Sequence, residues 1–192
     1  SGKGGVGRTS TALNLGLVLA NAGKRTIVID ADVAMANVGI LLGVDRTPIS
    51  LHDVLMGEAD VRDAVYDFNN LKYVPSSLSL EKVRKLDFDK LKSVVSELKD
   101  FDFVLIDCPP GIGSDAEAAI TAAKELILVL TPEPGALANA LKIKNFAERK
   151  GVKVIGFFLN MVSRDKSEIT KKDLETVLGV KELSESSIDI EV

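Results

Sequence analysis

The feature that most constrains the fold is a set of short β-rich runs, three of which are apolar nearly throughout. Such runs are typical of parallel strands covered on both faces, because a strand with one wet face alternates polar and apolar residues. Helical patterns separate the runs, so we predict an α/β fold with a mainly parallel sheet. The predicted strands are 25–32, 71–75, 101–111 (ending in Asp107 and a Pro-Pro-Gly turn), 125–135 and 152–160, and the predicted helices are 9–23, 79–100, 114–125, 135–151 and 167–179.

Bulk composition excludes several classes of protein. The chain has 192 residues, 46% hydrophobic and 27% charged, which suits one soluble domain. A net charge of −4 argues against a surface devoted to nucleic acid. One cysteine, Cys108, makes neither an internal disulfide nor a zinc site, so we expect a reducing, cytoplasmic setting. No apolar run reaches the ~18 residues of a membrane span, and we expect no signal peptide.

The N-terminal stretch SGKGGVGRTST has the composition of a phosphate-binding loop. Residues 2–9 match the pattern G-x-x-x-x-G-K-[ST] except that Arg8 stands at the lysine position. Glycines let backbone N–H groups turn toward a phosphate, and the helix that follows adds its positive N-terminal end. The alternative is a glycine-rich tail, which the immediately following helix disfavours. The predicted phosphate-binding residues are Gly2, Lys3, Gly4, Gly5, Val6, Gly7, Arg8 and Thr9.

Acidic residues follow two of the predicted strands. In DADVAMAN (30–37), Asp30 or Asp32 would position a water or contact a metal; alone, this segment equally suits a solvated turn with Asp32 as a helix cap. Asp107 ends an apolar strand, where an acid typically binds magnesium beside a phosphate loop, although a plain strand end before a proline turn is the alternative. The glycines at 111 and 113 would let the next turn sense a terminal phosphate.

Together these motifs resemble the MinD/ParA family of deviant Walker A ATPases, and most of all its MinD branch. The segments that carry the resemblance are GKGGVGRTS with its extra Lys3, DADVAMAN, VLIDCPPGIGSDA, VLTPEPGALANALK and GFFLN, from residue 1 to about residue 180. The resemblance implies a three-layer P-loop NTPase fold that binds ATP or ADP with Mg²⁺ and dimerises face to face when ATP is bound.

The resemblance also implies a role for each matching residue. Lys3 would reach the phosphates of the partner subunit, Asp32 would orient the attacking water, and Arg8 would stand in for the catalytic loop lysine. Thr9 and Asp107 would bind magnesium, with Asp30 as a possible additional ligand. Ser10 would contact the α-phosphate, and Asn160 would read adenine.

The chain departs from the family in three places. Arg8 keeps the charge of lysine but not its compact shape, so we expect weaker nucleotide binding and slow or absent hydrolysis. The strand that leads into the loop is missing, and so are the family's later C-terminal elements and the amphipathic membrane helix of MinD proteins. We therefore expect 1–192 to be a single P-loop domain trimmed from a longer chain; segment 186–192 supplying a strand is the alternative.

The functional hypothesis is an ATP-dependent dimerisation switch that hydrolyses ATP and acts in the spatial regulation of cell division. One alternative is an ATP-bound scaffold with negligible turnover, which Arg8 favours. A DNA-segregation ATPase of the ParA type is disfavoured by the net charge of −4, so DNA binding is not expected. A protein partner at the switch surface is left open. His52 is expected to be a surface histidine or a buried one with its hydrogen bonds satisfied.

Overall fold

The structure, a computed structural model, describes residues 4–44, 47–77, 86–163 and 167–187. The chain divides into two compact units. The first unit comprises residues 9–109 and 113–122, and the second comprises the residues up to 8, residues 110–112 and those from 123 onward. Each unit has its own sheet.

The first unit is a four-stranded sheet with helices, in the strand order β2-β3-β1-β4. Strand β1 runs parallel to β3 and to β4, whereas β2 and β3 form an antiparallel hairpin. The strands are β1 (Thr26–Asp30), β2 (Tyr66–Phe68), β3 (Leu71–Val74) and β4 (Phe103–Asp107). The helices are α1 (Arg8–Asn21), α2 (Val38–Leu41), α3 (Leu51–Met56), α4 (Leu91–Glu97) and α5 (Ser114–Ala122), with 3-10 turns at Val61–Ala64 and Phe88–Lys90.

Strand β1 is buried along its whole length, as its apolar sequence predicts. Ile27 and Ile29 belong to one core cluster, which also contains residues of α3, α4 and α5. Val28, between them, belongs to a second cluster with Leu13 of α1 and Leu71 of β3. Because successive side chains of a strand point to opposite faces, apolar groups cover both faces of this sheet.

The second unit contains a parallel sheet in the order β5-β6-β7. Its strands are β5 (Glu125–Leu130), β6 (Lys153–Val162) and β7 (Glu182–Ser187), and its helices are α6 (Pro134–Arg149) and α7 (Lys171–Leu178). Helix α7 ends at Gly179, whose left-handed backbone is the usual way to end a helix. The pairing of β6 with β7 is irregular between Leu159 and Val162.

All five predicted strands are present, with boundaries shifted by a few residues. A continuous helix over 79–100 is wrong in its described part, while residues 78–85 lie outside the described residues. Asp87 has an extended backbone and its side chain accepts the Asp89 N–H, so a new short helix starts there. Segment 186–192 overlaps β7 only at residues 186 and 187, and its remainder lies outside the described residues.

Two smaller features are also described. His52 is fully buried on α3, so it is not a surface histidine, and its Nδ1 accepts the backbone N–H of Ser77 at 3.0 Å. In the described ranges, no helix has the length and apolar character needed to cross a membrane.

Candidate functional site

The glycine loop passes directly into the first long helix. Gly5 and Gly7 have φ angles of 74° and 89°. Residues other than glycine rarely adopt this left-handed backbone conformation. Helix α1 begins at Arg8, so the positive end of its backbone dipole lies directly after the glycine loop. Arg8 and Thr9 are half-buried and Ser10 is exposed. Gly2 and Lys3 lie outside the described residues.

Asn160, a predicted site residue from a distant part of the sequence, contacts this loop. It lies near the end of β6, and its Nδ2 donates a hydrogen bond to the Val6 carbonyl oxygen at 3.0 Å. A Cβ atom added to Gly7 would lie 2.3 Å from the same Nδ2. Gly7 is therefore required for space as well as for its backbone angle.

The predicted acids are brought together in the first unit. Asp30 and Asp107 are register partners at the carboxyl ends of β1 and β4, and the backbone N–H of Ala31 bonds to the Asp107 carbonyl oxygen at 3.0 Å. Asp32 is two residues beyond Asp30, and all three carboxylates are buried. Parallel strands place their carboxyl ends at one edge of a sheet, which is where open α/β proteins bind ligands.

Asp30 organises the turn that follows β1. Its Oδ1 accepts the N–H of Asp32 at 3.3 Å, and its Oδ2 accepts the N–H groups of Asn37 and Val38, each at 3.1 Å. Its own carbonyl oxygen accepts the Ser76 hydroxyl at 2.7 Å, a contact that no sequence signal indicates, since the two residues are 46 positions apart. Both carboxylate oxygens of Asp30 thus hold backbone groups of the turn.

Asp32 also bonds to the backbone of the turn that follows β1. Its Oδ1 accepts the Met35 N–H at 3.2 Å, as a turn-capping acid would. The side chain is nevertheless buried, which a solvated turn would not require.

Burial and mutual repulsion shape the electrostatics of this cluster. Burial raises the pKa of Asp30 to about 7, and the charge of Asp107 adds to the rise, against hydrogen bonds such as that from the Val38 N–H. Negative charge crowded in this way is stabilised by a cation.

The donor set fits magnesium bound with a phosphate. Magnesium usually takes one or two carboxylates together with phosphate oxygens and water, not an all-protein cage. No group of three or more His, Cys, Asp or Glu side chains that could hold a metal ion occurs in the part of the chain that the structure describes. The Asp107 carboxylate and the Thr9 hydroxyl are hard oxygen groups of the kind that magnesium binds.

Comparisons with known proteins agree with these features. Residues 1–150 match the family described as AAA domain. An uncharacterised ATP-binding protein of Methanocaldococcus jannaschii is 44% identical over 187 residues, which are 96% of this chain and 71% of that protein. The crystal structure of the cell division ATPase MinD of Pyrococcus furiosus superposes with a TM-score of 0.94 at 40% identity, covering 98% of this chain and 81% of that one.

A second solved structure has the same TM-score. The septum site-determining protein MinD of Pyrococcus horikoshii, complexed with Mg-ADP, has a TM-score of 0.94 and 38% identity, with 98% of this chain and 79% of that chain covered. These structures confirm the predicted α/β P-loop NTPase fold. The chain belongs to the MinD/ParA family of P-loop ATPases, in which it is most like MinD.

Proposed function

We propose that the chain binds ATP and ADP with Mg²⁺ and hydrolyses ATP as a MinD-like, ATP-dependent dimerisation switch in the spatial regulation of cell division. One observation carries the proposal: two left-handed glycines lead directly into the N-terminus of a 14-residue helix. That arrangement presents backbone N–H groups and a positive dipole end to an anion. The Mg-ADP complex of the Pyrococcus horikoshii relative adds support.

The phosphates would be held by the loop and by the start of α1. The backbone of residues 2–7 would donate N–H groups, Arg8 would add positive charge, and the Ser10 side chain would contact the α-phosphate. Asp107 and the Thr9 hydroxyl would hold magnesium. When bound, the ion would neutralise negative charge on the phosphates.

Hydrolysis would depend on positioning. Asp32 is buried and its carboxylate is held near the backbone of its own turn, so it would orient a water with little loss of entropy. Lys3 would act on the phosphates of a second copy, which makes dimerisation part of the reaction. Asp30 would keep the turn after β1 in shape, since both of its carboxylate oxygens accept backbone N–H groups.

A binding measurement tests the core of the proposal. Calorimetric titration with ATP should give a one-site isotherm that is stronger with Mg²⁺ than with EDTA, and light scattering should give a dimer only with ATP. The variant Asp63→Asn removes an exposed carboxylate from the 3-10 turn at Val61–Ala64 and serves as a control that binds like the natural chain. Absence of ATP binding in both proteins would refute the proposal.

A scaffold that holds ATP with negligible turnover is the second candidate, and Arg8 is the observation that favours it. The guanidinium of arginine is a planar fork, whereas the ammonium of the loop lysine is a compact charge. Arg8 would therefore stabilise the negative charge on the terminal phosphate less well than lysine does. Arg8→Lys should then raise the single-turnover rate by about 10²-fold, the usual effect of one electrostatic group in a transition state. An Arg8→Lys protein with the rate of the natural chain would contradict this reasoning.

A further inference from the structure

Strand β6 contains a bulge next to the glycine loop. Leu159 pairs with Glu185 and Val162 with Ser187, so β6 uses one residue more than β7 to cover the same stretch. Met161 takes up the extra length with a φ of 59°, a left-handed conformation that costs a residue with a side chain about 1–3 kcal/mol. Bulges commonly re-aim a side chain beside a functional site.

The side chain next to this bulge is Asn160. Its Nδ2 reaches the Val6 carbonyl oxygen, 154 residues away in the chain, at 3.0 Å. Val6 is buried, and a buried carbonyl without a partner is costly, so this hydrogen bond stabilises the loop conformation. Because Asn160 also fills the space beside Gly7, it determines both the shape of the loop and the residue that fits there.

The bonded carbonyl belongs to the same peptide group as the Gly7 N–H. In a trans peptide the C=O and N–H bonds point in opposite directions, so holding the Val6 oxygen toward Asn160 turns the Gly7 N–H away from it. Backbone N–H groups are what a phosphate loop offers to its ligand. The direction of one of them is therefore set by a side chain of β6.

We infer that Asn160 is a positioning residue that presets the Val6–Gly7 peptide of the phosphate loop before nucleotide arrives. This role differs from reading adenine, which the family resemblance implies for the same side chain. It rests on the proposed nucleotide-binding function, because the preset peptide matters only if the loop receives a phosphate.

NMR relaxation of backbone amides in the nucleotide-free protein tests the inference directly. Asn160→Leu keeps the approximate size without the donor, and Asn160→Ala is a second variant should the first fold poorly. Either should lower the order parameter of the Gly7 amide from the rigid range of about 0.85 to below about 0.6. Thr131→Val is the matched control: Thr131 is buried just after β5, and its hydroxyl has no hydrogen bond to any described residue, so the Gly7 order parameter should not change.

Binding of a ligand without a base separates the two roles of Asn160. With Mg²⁺ present, Asn160→Leu should weaken tripolyphosphate and ATP by the same factor, about tenfold. A loss for ATP alone, with tripolyphosphate binding and the Gly7 order parameter unchanged, would overturn the inference in favour of adenine recognition. The order parameter is measured without nucleotide, so it decides the inference even if the natural chain fails to bind ATP, a failure that would refute the proposed function separately.

A double-mutant cycle tests the steric part. Gly7→Ala introduces a Cβ that would lie 2.3 Å from the Asn160 Nδ2, whereas in an Asn160→Ala background that obstacle is gone. The cost of the left-handed backbone is present in both backgrounds and cancels. The loss of tripolyphosphate affinity caused by Gly7→Ala should be about tenfold smaller in the Asn160→Ala background. Equal losses would contradict the steric coupling.

Discussion

Gly16 sets how closely helix α1 approaches the sheet of the first unit, and its replacement gives a quantitative prediction. A Cβ built on Gly16 would lie 2.8 Å from Val28 Cγ2 and 3.1 Å from Leu71 Cδ1, well inside the ~3.5–4.0 Å of ordinary carbon contacts. Both neighbours are fully buried, so neither side chain has room to move aside. Gly16→Ala should gain about 1 kcal/mol of helix propensity but lose about 1–3 kcal/mol to overpacking.

The expected net effect of Gly16→Ala is a loss of about 1 kcal/mol in the free energy of unfolding, or about 3 °C in Tm. Urea unfolding followed by far-UV circular dichroism measures it. Gly135→Ala is the matched control, because Gly135 is an exposed residue in the first turn of α6 and its Cβ would meet no atom within 4 Å. That variant should be up to about 1 kcal/mol more stable than the natural chain. A Gly16→Ala protein stabilised as much as Gly135→Ala would refute the packing argument.

Two further predictions concern charged groups. Asp102 accepts hydrogen bonds from the side chain and the backbone N–H of Arg25, and these lower the pKa of Asp102 to about 2. Because the pKa of Asp102 is lower in the folded than in the unfolded protein, its ionised carboxylate contributes its full stabilisation above about pH 4. That stabilisation is lost as the pH falls through about 2. Asp102→Asn should therefore make the free energy of unfolding depend less on pH between about pH 4 and pH 2. Asp107→Asn should reduce by about tenfold the gain in ATP affinity that Mg²⁺ provides, while the exposed control Asp63→Asn keeps the full gain; equal gains in both variants would remove Asp107 from the metal site.

Much of the fold was predictable because a strand that is buried on both faces has a continuous run of apolar residues in the sequence. The three central residues of β1, Ile27 to Ile29, are all apolar because helices pack on both faces of the strand, and this run locates the strand correctly. The sequence of β7, ELSESS, is polar and mostly exposed; backbone pairing with β6 makes it a strand, and no apolar pattern predicts that. The helix predicted over 79–100 fails because Asp87 bonds to the backbone instead of continuing the helix.

The candidate site divides in the same way. From the residues alone come the glycine loop, the helix that follows it and the acids at the carboxyl ends of two strands, because each depends on a short run of neighbouring residues. Only the tertiary structure decides that both oxygens of Asp30 hold the turn after β1, that Gly16 makes room for Val28, and that Asn160 bonds to Val6. Those contacts depend on strand order and register, which bring distant residues together without leaving any local pattern.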